Sequence, residues 1–161
     1  MQLIVLLSVL VWLPVFAKTV DGQPEDTVRL VEKTQFVSRK EMVVAAHPLA
    51  VDAGAEILRD GGSAVDAMVA VQMVLNLVEP QSSGIGGGAF LLHHDAETQH
   101  VVAIDGREVA PALVTEHLFL DDSGEARSWP EVVPGGLSVG VPGTLALMKY
   151  AHAKFGRLPW G

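Results

Sequence analysis

The sequence predicts an α/β layered fold, a mixed α+β arrangement in which helices cover a small sheet. Three observations carry this. Two helix-patterned segments follow each other between Pro48 and Val78, two strand-like runs come next at Ala89–His94 and His100–Ile104, and a last helical segment runs from Thr144 to about Lys154. Beyond that helix the chain closes on Leu158-Pro159-Trp160-Gly161, without the pattern of a finished domain, so the fold is expected to be incomplete in this chain.

The first segment is not expected to belong to the fold. Residues 1–17 carry no charge, Leu3–Phe16 is almost wholly apolar, and Lys18 follows. Val15 and Ala17 stand at −3 and −1 of a cleavage point before Lys18, as in a secretory signal peptide. The usual positive n-region is missing, and an uncleaved membrane anchor is the alternative. That run is shorter than the roughly 20 residues a membrane span needs, and Pro14 interrupts it. The expected organisation is therefore a signal peptide over residues 1–17 and one mature segment over residues 18–161, exported to a bacterial periplasm or secreted.

The charge, 11 basic against 19 acidic residues, speaks against a nucleic-acid partner, because such binding depends on clustered Lys and Arg neutralising phosphates. With no cysteine, an exported chain must be held by its core alone.

Residues 18–40 read as a polar arm without periodicity. Met42–Ala46 is a short apolar run that suits a buried strand or the approach to a helix. Pro48 fits a first helical turn, where its missing N–H costs nothing. Ala50, Ala53, Ile57 and Leu58 then recur at helical spacing until Gly61-Gly62, which accept the left-handed C′ conformation. Ser63 is the expected cap of the next helix, with Asp66 three residues on completing something close to a capping box. From Ala64 to Val78 that helix is apolar nearly all round, which places it between layers of a core. Asp66, Gln72 and Asn76 interrupt a segment already too short for a membrane span. Glu79-Pro80 ends it. Asp95–Gln99 has a length suited to a hairpin turn between the two strands, and a Pro- and Gly-rich stretch from Pro130 to Gly143 precedes the closing helix.

Several clusters bear on chemistry. Gly84-Ile85-Gly86-Gly87-Gly88 could present N–H groups to an anion. It lacks the Lys-Ser/Thr of a P-loop and the spacing of a dinucleotide fingerprint, so both a structural loop and a ligand cradle stay open. Six histidines raise the question of a metal. His93 and His94 are adjacent in a strand and point to opposite faces. His47 and His100 lack partners at ligand spacing, and His152 reads as a surface residue, so no metal and no cofactor are expected. Ser82-Ser83 lack the strained elbow of a serine nucleophile and read as turn residues. Asp105-Gly106-Arg107-Glu108 stands at a strand end, where binding residues concentrate. Arg107 offers a planar fork for a carboxylate; a solvated Arg–Glu or Arg–Asp pair is the other reading.

Taken together, five ordered motifs go further: Met42–Ala50, Gly61–Ala67, Val78–Gly88, Asp105–Pro111 and Gly140–Thr144. In sequence, order and gaps they resemble the front part of a γ-glutamyltransferase large subunit, from about residue 38 to the last residue. Ser63 departs from the asparagine common there, and both cap helices well. The resemblance implies an N-terminal-nucleophile hydrolase with an αββα sandwich, whose precursor cuts itself into two subunits. It implies a threonine at the new N-terminus of the small subunit, its own amine serving as base, that attacks the γ-glutamyl amide of glutathione or a related γ-glutamyl compound. The glutamyl group then passes to water or to an amino-acid or peptide acceptor. The threonine, the oxyanion donors and most of the glutamate-binding side chains are expected beyond residue 161, so this chain alone is expected to be inactive. Arg107 is the one substrate-binding residue carried over, as partner of the α-carboxylate; Glu108 orients it or binds elsewhere. A γ-glutamyltransferase-like acylase, acting for instance on a cephalosporin side chain, would show the same motifs. A non-catalytic binding or decoy module is the reading from another class.

Overall fold

The computed structural model describes residues 35–160. The expected signal peptide and most of the polar arm lie outside the described residues. The element order is α1 (Pro48–Arg59), α2 (Ala64–Val78), β1 (Ala89–His94), β2 (Val101–Gly106), α3 (Trp129–Val132), a 3-10 turn (Gly136–Ser138) and α4 (Thr144–Phe155).

α1 starts at Pro48 with His47 as its cap, whose Nδ1 accepts the Leu49 N–H at 3.2 Å. It ends where Gly61 takes φ of 88°, and the Gly62 N–H closes onto the Ile57 carbonyl at 2.9 Å. Ser63 then caps α2 reciprocally. Its hydroxyl accepts the Asp66 N–H at 3.2 Å, and the Asp66 carboxylate accepts the Ser63 N–H at 2.7 Å. The two helices pack along each other at Gly54, where a Cβ would come within 2.6 Å of Val71 Cγ2.

β1 and β2 form an antiparallel pair with Ala89 opposite Gly106 and His94 opposite Val101. α4 covers one face of this pair and also touches α2. It buries Thr144, Leu147, Met148 and Ala151, the i, i+3, i+4, i+7 stripe that an amphipathic helix presents to a core. On the inner side of β1, His93 stacks on Phe155 of α4 with ring centroids 4.0 Å apart.

Of the two readings open for Met42–Ala46, the approach to a helix holds: the run forms no strand and leads into α1. One expectation changes. α2 is a helix over the expected residues, yet it is buried fully only at Val65, Asp66 and Ala67, while Met73 and Leu77 face outward. Among the described residues the elements packed against α2 are α1 and α4, which leaves those positions uncovered. No helix among the described residues is long and apolar enough to cross a membrane.

Candidate functional site

The strand end carrying Arg107 meets the glycine loop. Asp105 Oδ1 accepts the Arg107 N–H at 2.9 Å, which turns the chain as β2 ends. Arg107 Nε then lies 3.3 Å from Glu108 Oε2, with the arginine side chain 68% and the glutamate 34% exposed. Among the described residues only this Nε and the backbone N–H of Arg107 are engaged, which leaves the two terminal amino groups for a ligand. Val109 pairs with Val141 in an antiparallel bridge, its N–H 3.4 Å from the Val141 carbonyl and its carbonyl 2.9 Å from the Val141 N–H. Arg107 and Glu108 line an open cavity of about 540 Å³, walled by Val109–Pro111, Val114–Glu116, Leu118, Phe119 and Leu137–Gly140. A guanidinium lining a cleft of mixed polar and apolar walls suits a carboxylate, which accepts two parallel hydrogen bonds from its fork.

The loop from Gln81 to Gly88 is held from two directions. On one side the polar residues that interrupt α2 reach it. Gln72 Nε2 donates to Ser83 Oγ at 2.9 Å, and Asn76 Oδ1 accepts the Ile85 N–H at 3.2 Å. On the other side the start of α4 reaches it. The Gly87 carbonyl accepts from the N–H groups of Gly143 and Thr144, at 3.0 and 3.1 Å, and from Thr144 Oγ1 at 2.9 Å. Ser82 and Ser83 are turn residues, as expected, their N–H groups donating to the Glu79 carbonyl.

His152 corrects the sequence reading. Its side chain is nearly buried, and its Nε2 lies 3.2 Å from Oδ1 of the buried Asp66. The approach leaves Oδ1 without a well-aligned hydrogen bond, and the contact becomes an ion pair only with the imidazole protonated. The other oxygen, Oδ2, accepts the N–H groups of Arg157 and Leu158 at 2.9 and 3.3 Å. Burial pushes the Asp66 carboxyl up. Hydrogen bonds from the Ser63 and Arg157 N–H groups, then the Ser63 hydroxyl and the Leu158 N–H, outweigh this and hold it below its ordinary value. Spacing could have placed His152, because it lies one helical turn after the buried Met148. The Thr144 link to Gly87 crosses 57 residues and has no local signature. Among the described residues no three His, Cys, Asp or Glu side chains gather as a metal would need.

Similarity to solved structures gives the class of protein. The chain superposes on γ-glutamyltranspeptidase from Helicobacter pylori with a TM-score of 0.70 and 37% identity, covering 78% of this chain and 35% of that one. Cephalosporin acylase from Bacillus halodurans follows with a TM-score of 0.62 and 29% identity, covering 83% and 25%. The described helices and strand pair are thus part of an N-terminal-nucleophile hydrolase fold of the γ-glutamyltranspeptidase kind. Sequence gives the family. A γ-glutamyltranspeptidase family model matches residues 50–161. The glutathione hydrolase proenzyme of Bacillus subtilis (strain 168) is 48% identical over 120 residues, 74% of this chain and 20% of that protein. That of Escherichia coli (strain K12) is 39% identical over 122 residues, 76% and 21%. The chain belongs to the γ-glutamyltranspeptidase family, and it spans about a fifth of the length of these curated relatives.

Proposed function

We propose that this chain is the front part of the large subunit of a glutathione hydrolase that hydrolyses or transfers γ-glutamyl groups, with Arg107 binding the substrate α-carboxylate. The carrying observation is the placement of Arg107 at a strand end, its terminal amino groups open to a cavity and its Nε held by Glu108. The reaction then needs a nucleophile from outside these residues, a threonine at the N-terminus of a small subunit cut from the same precursor. Attack on the γ-carbonyl forms an acyl-enzyme and releases the amine, and water or an amino-acid or peptide acceptor takes the glutamyl group. The part of Arg107 is to fix the donor so that the γ-carbonyl reaches that threonine. Export through the apolar leader, to a periplasm or the outside, belongs to the same proposal.

In a full-length enzyme carrying these residues, Arg107→Ala loses a charge-assisted fork, so kcat/KM for γ-glutamyl-p-nitroanilide is expected to fall about ten- to a hundredfold. Arg107→Lys keeps the charge without the bidentate geometry and should recover only part of that. Unchanged kinetics together with a lowered melting temperature would assign Arg107 a purely structural role. The similarity to a cephalosporin acylase favours one second reading, an acylase on another amide. Turnover of a cephalosporin side-chain amide in preference to the γ-glutamyl anilide would select it.

A further inference from the structure

We infer that Thr144, Gly87 and Gly88 are positioning residues for Arg107: the first turn of α4 fixes the glycine loop, and the loop fixes the Glu108 carboxylate that holds the guanidinium at the cavity. The inference rests on Arg107 receiving a substrate α-carboxylate, as proposed above.

The chain of contacts is continuous. Thr144 is 2% exposed, and its hydroxyl donates to the Gly87 carbonyl at 2.9 Å. Removed from water, such a bond has no solvent competitor. Two backbone N–H groups, of Gly143 and Thr144, converge on the same carbonyl, so Gly87 is bound to the start of α4 by three donors. The next residue has no room for a side chain. A Cβ on Gly88 would stand 2.7 Å from the Glu108 nitrogen and 2.8 Å from Arg107 Cα, and would also strike Glu108 Oε2. The first two are backbone atoms that cannot swing aside. On the opposite side a Cβ on Gly140 would come within 2.9 Å of Glu108 Cβ, and the Val109–Val141 bridge holds that segment in place. The Glu108 side chain is thereby seated between two backbone segments, and its Oε2 reaches Arg107 Nε at 3.3 Å.

The consequence concerns the arginine. A solvated arginine samples many rotamers and must be ordered each time it binds. With Nε paired to a carboxylate that is itself seated between two backbone segments, the guanidinium loses part of that freedom before substrate arrives. Its remaining edge, the two terminal amino groups, is the one that matches a carboxylate bidentately. Glu108 also offsets the arginine charge, so the seat must be fixed in place for the fork to keep facing outward. The helix N-terminus, the glycine loop and the ion pair thus act as one mount.

The test uses two donors in a full-length enzyme, γ-glutamyl-p-nitroanilide and its analogue lacking the α-carboxylate. Thr144→Val removes the hydroxyl at nearly constant volume and should raise KM for the first donor about three- to tenfold, with kcat changed less. Gly88→Ala displaces Glu108 directly and should raise that KM about tenfold or more. KM for the analogue should stay at the parent value in both variants, and Thr144→Ser should restore the parent value for the first donor. Equal shifts for both donors, or none for either, while Arg107→Ala still discriminates between them, would overturn the inference and leave the α-carboxylate reading intact. If Arg107→Ala fails to discriminate, that reading falls and the inference with it. Should Gly88→Ala not fold, the Thr144→Val and Thr144→Ser pair decides alone.

Discussion

Asp66 joins two parts of the chain with one carboxylate. It caps α2 through the Ser63 N–H and receives the N–H groups of Arg157 and Leu158, 91 and 92 residues away, just after α4 ends. Because its folded pKa lies below its ordinary value, its contribution to stability is complete above the ordinary carboxylate range. That contribution drains away as pH falls through the lowered folded value. In the full-length protein, Asp66→Asn should cost about 2–3 kcal/mol at neutral pH, the worth of charge-assisted hydrogen bonds at a buried acceptor. The gap between parent and variant should then narrow as the parent is protonated, read from denaturant unfolding down to about pH 2.5. A gap that stays constant across that range would show that the carboxylate charge contributes nothing. The capping half of this arrangement was legible, since Ser63 and Asp66 stand at capping-box spacing. The distant half was not, because nothing in Gly156-Arg157-Leu158 marks those amides as donors to a residue in α2.

The helices and strands follow the sequence closely because each boundary has a local cause: Pro48 and Gly61 for α1, Ser63 and Glu79-Pro80 for α2, the Asp95–Gln99 turn between the strands. What local pattern could not give is how completely each face is covered. α2 leaves Leu77 79% exposed, and the outer face of β1 leaves Phe90 and Leu92 67% and 77% exposed. Paired with Asp105 and Ala103 on β2, these two strand residues stand on the sheet face away from α4. Apolar groups so grouped draw other apolar surface to them. The 161-residue chain expressed alone is therefore expected to bind a hydrophobic dye and to aggregate. Replacing Phe90 and Leu92 together with Thr should roughly halve the dye signal and raise solubility. A dye-silent, freely soluble parent chain with a sharp thermal transition would contradict this. The short α3 and the 3-10 turn went unforeseen. The turn sits among the prolines and glycines of residues 130–143, where backbone geometry rather than periodicity decides; α3 carries a local signature that was passed over, the capping box of Ser128 and Glu131.

At the scale of the whole molecule, the described residues hold Arg107 and the contacts proposed to position it, and the chain spans about a fifth of its curated relatives. Arg107 stood out as a candidate at a strand end, but that setting also suited a solvated ion pair, and the resemblance to the family decided between them. Thr144 and Gly87 were not legible, because their link is a hydrogen bond across 57 residues. On the proposed division of labour, the chain alone should release no p-nitroaniline from γ-glutamyl-p-nitroanilide above a buffer blank, and measurable turnover by it would contradict the assignment of the nucleophile elsewhere. The most direct test of the central claim compares parent and Arg107→Ala full-length enzymes on that donor and on its analogue without the α-carboxylate. The account predicts a KM about ten- to a hundredfold higher in the variant for the first donor and the same KM for the second. Equal KM in variant and parent for both donors would contradict it.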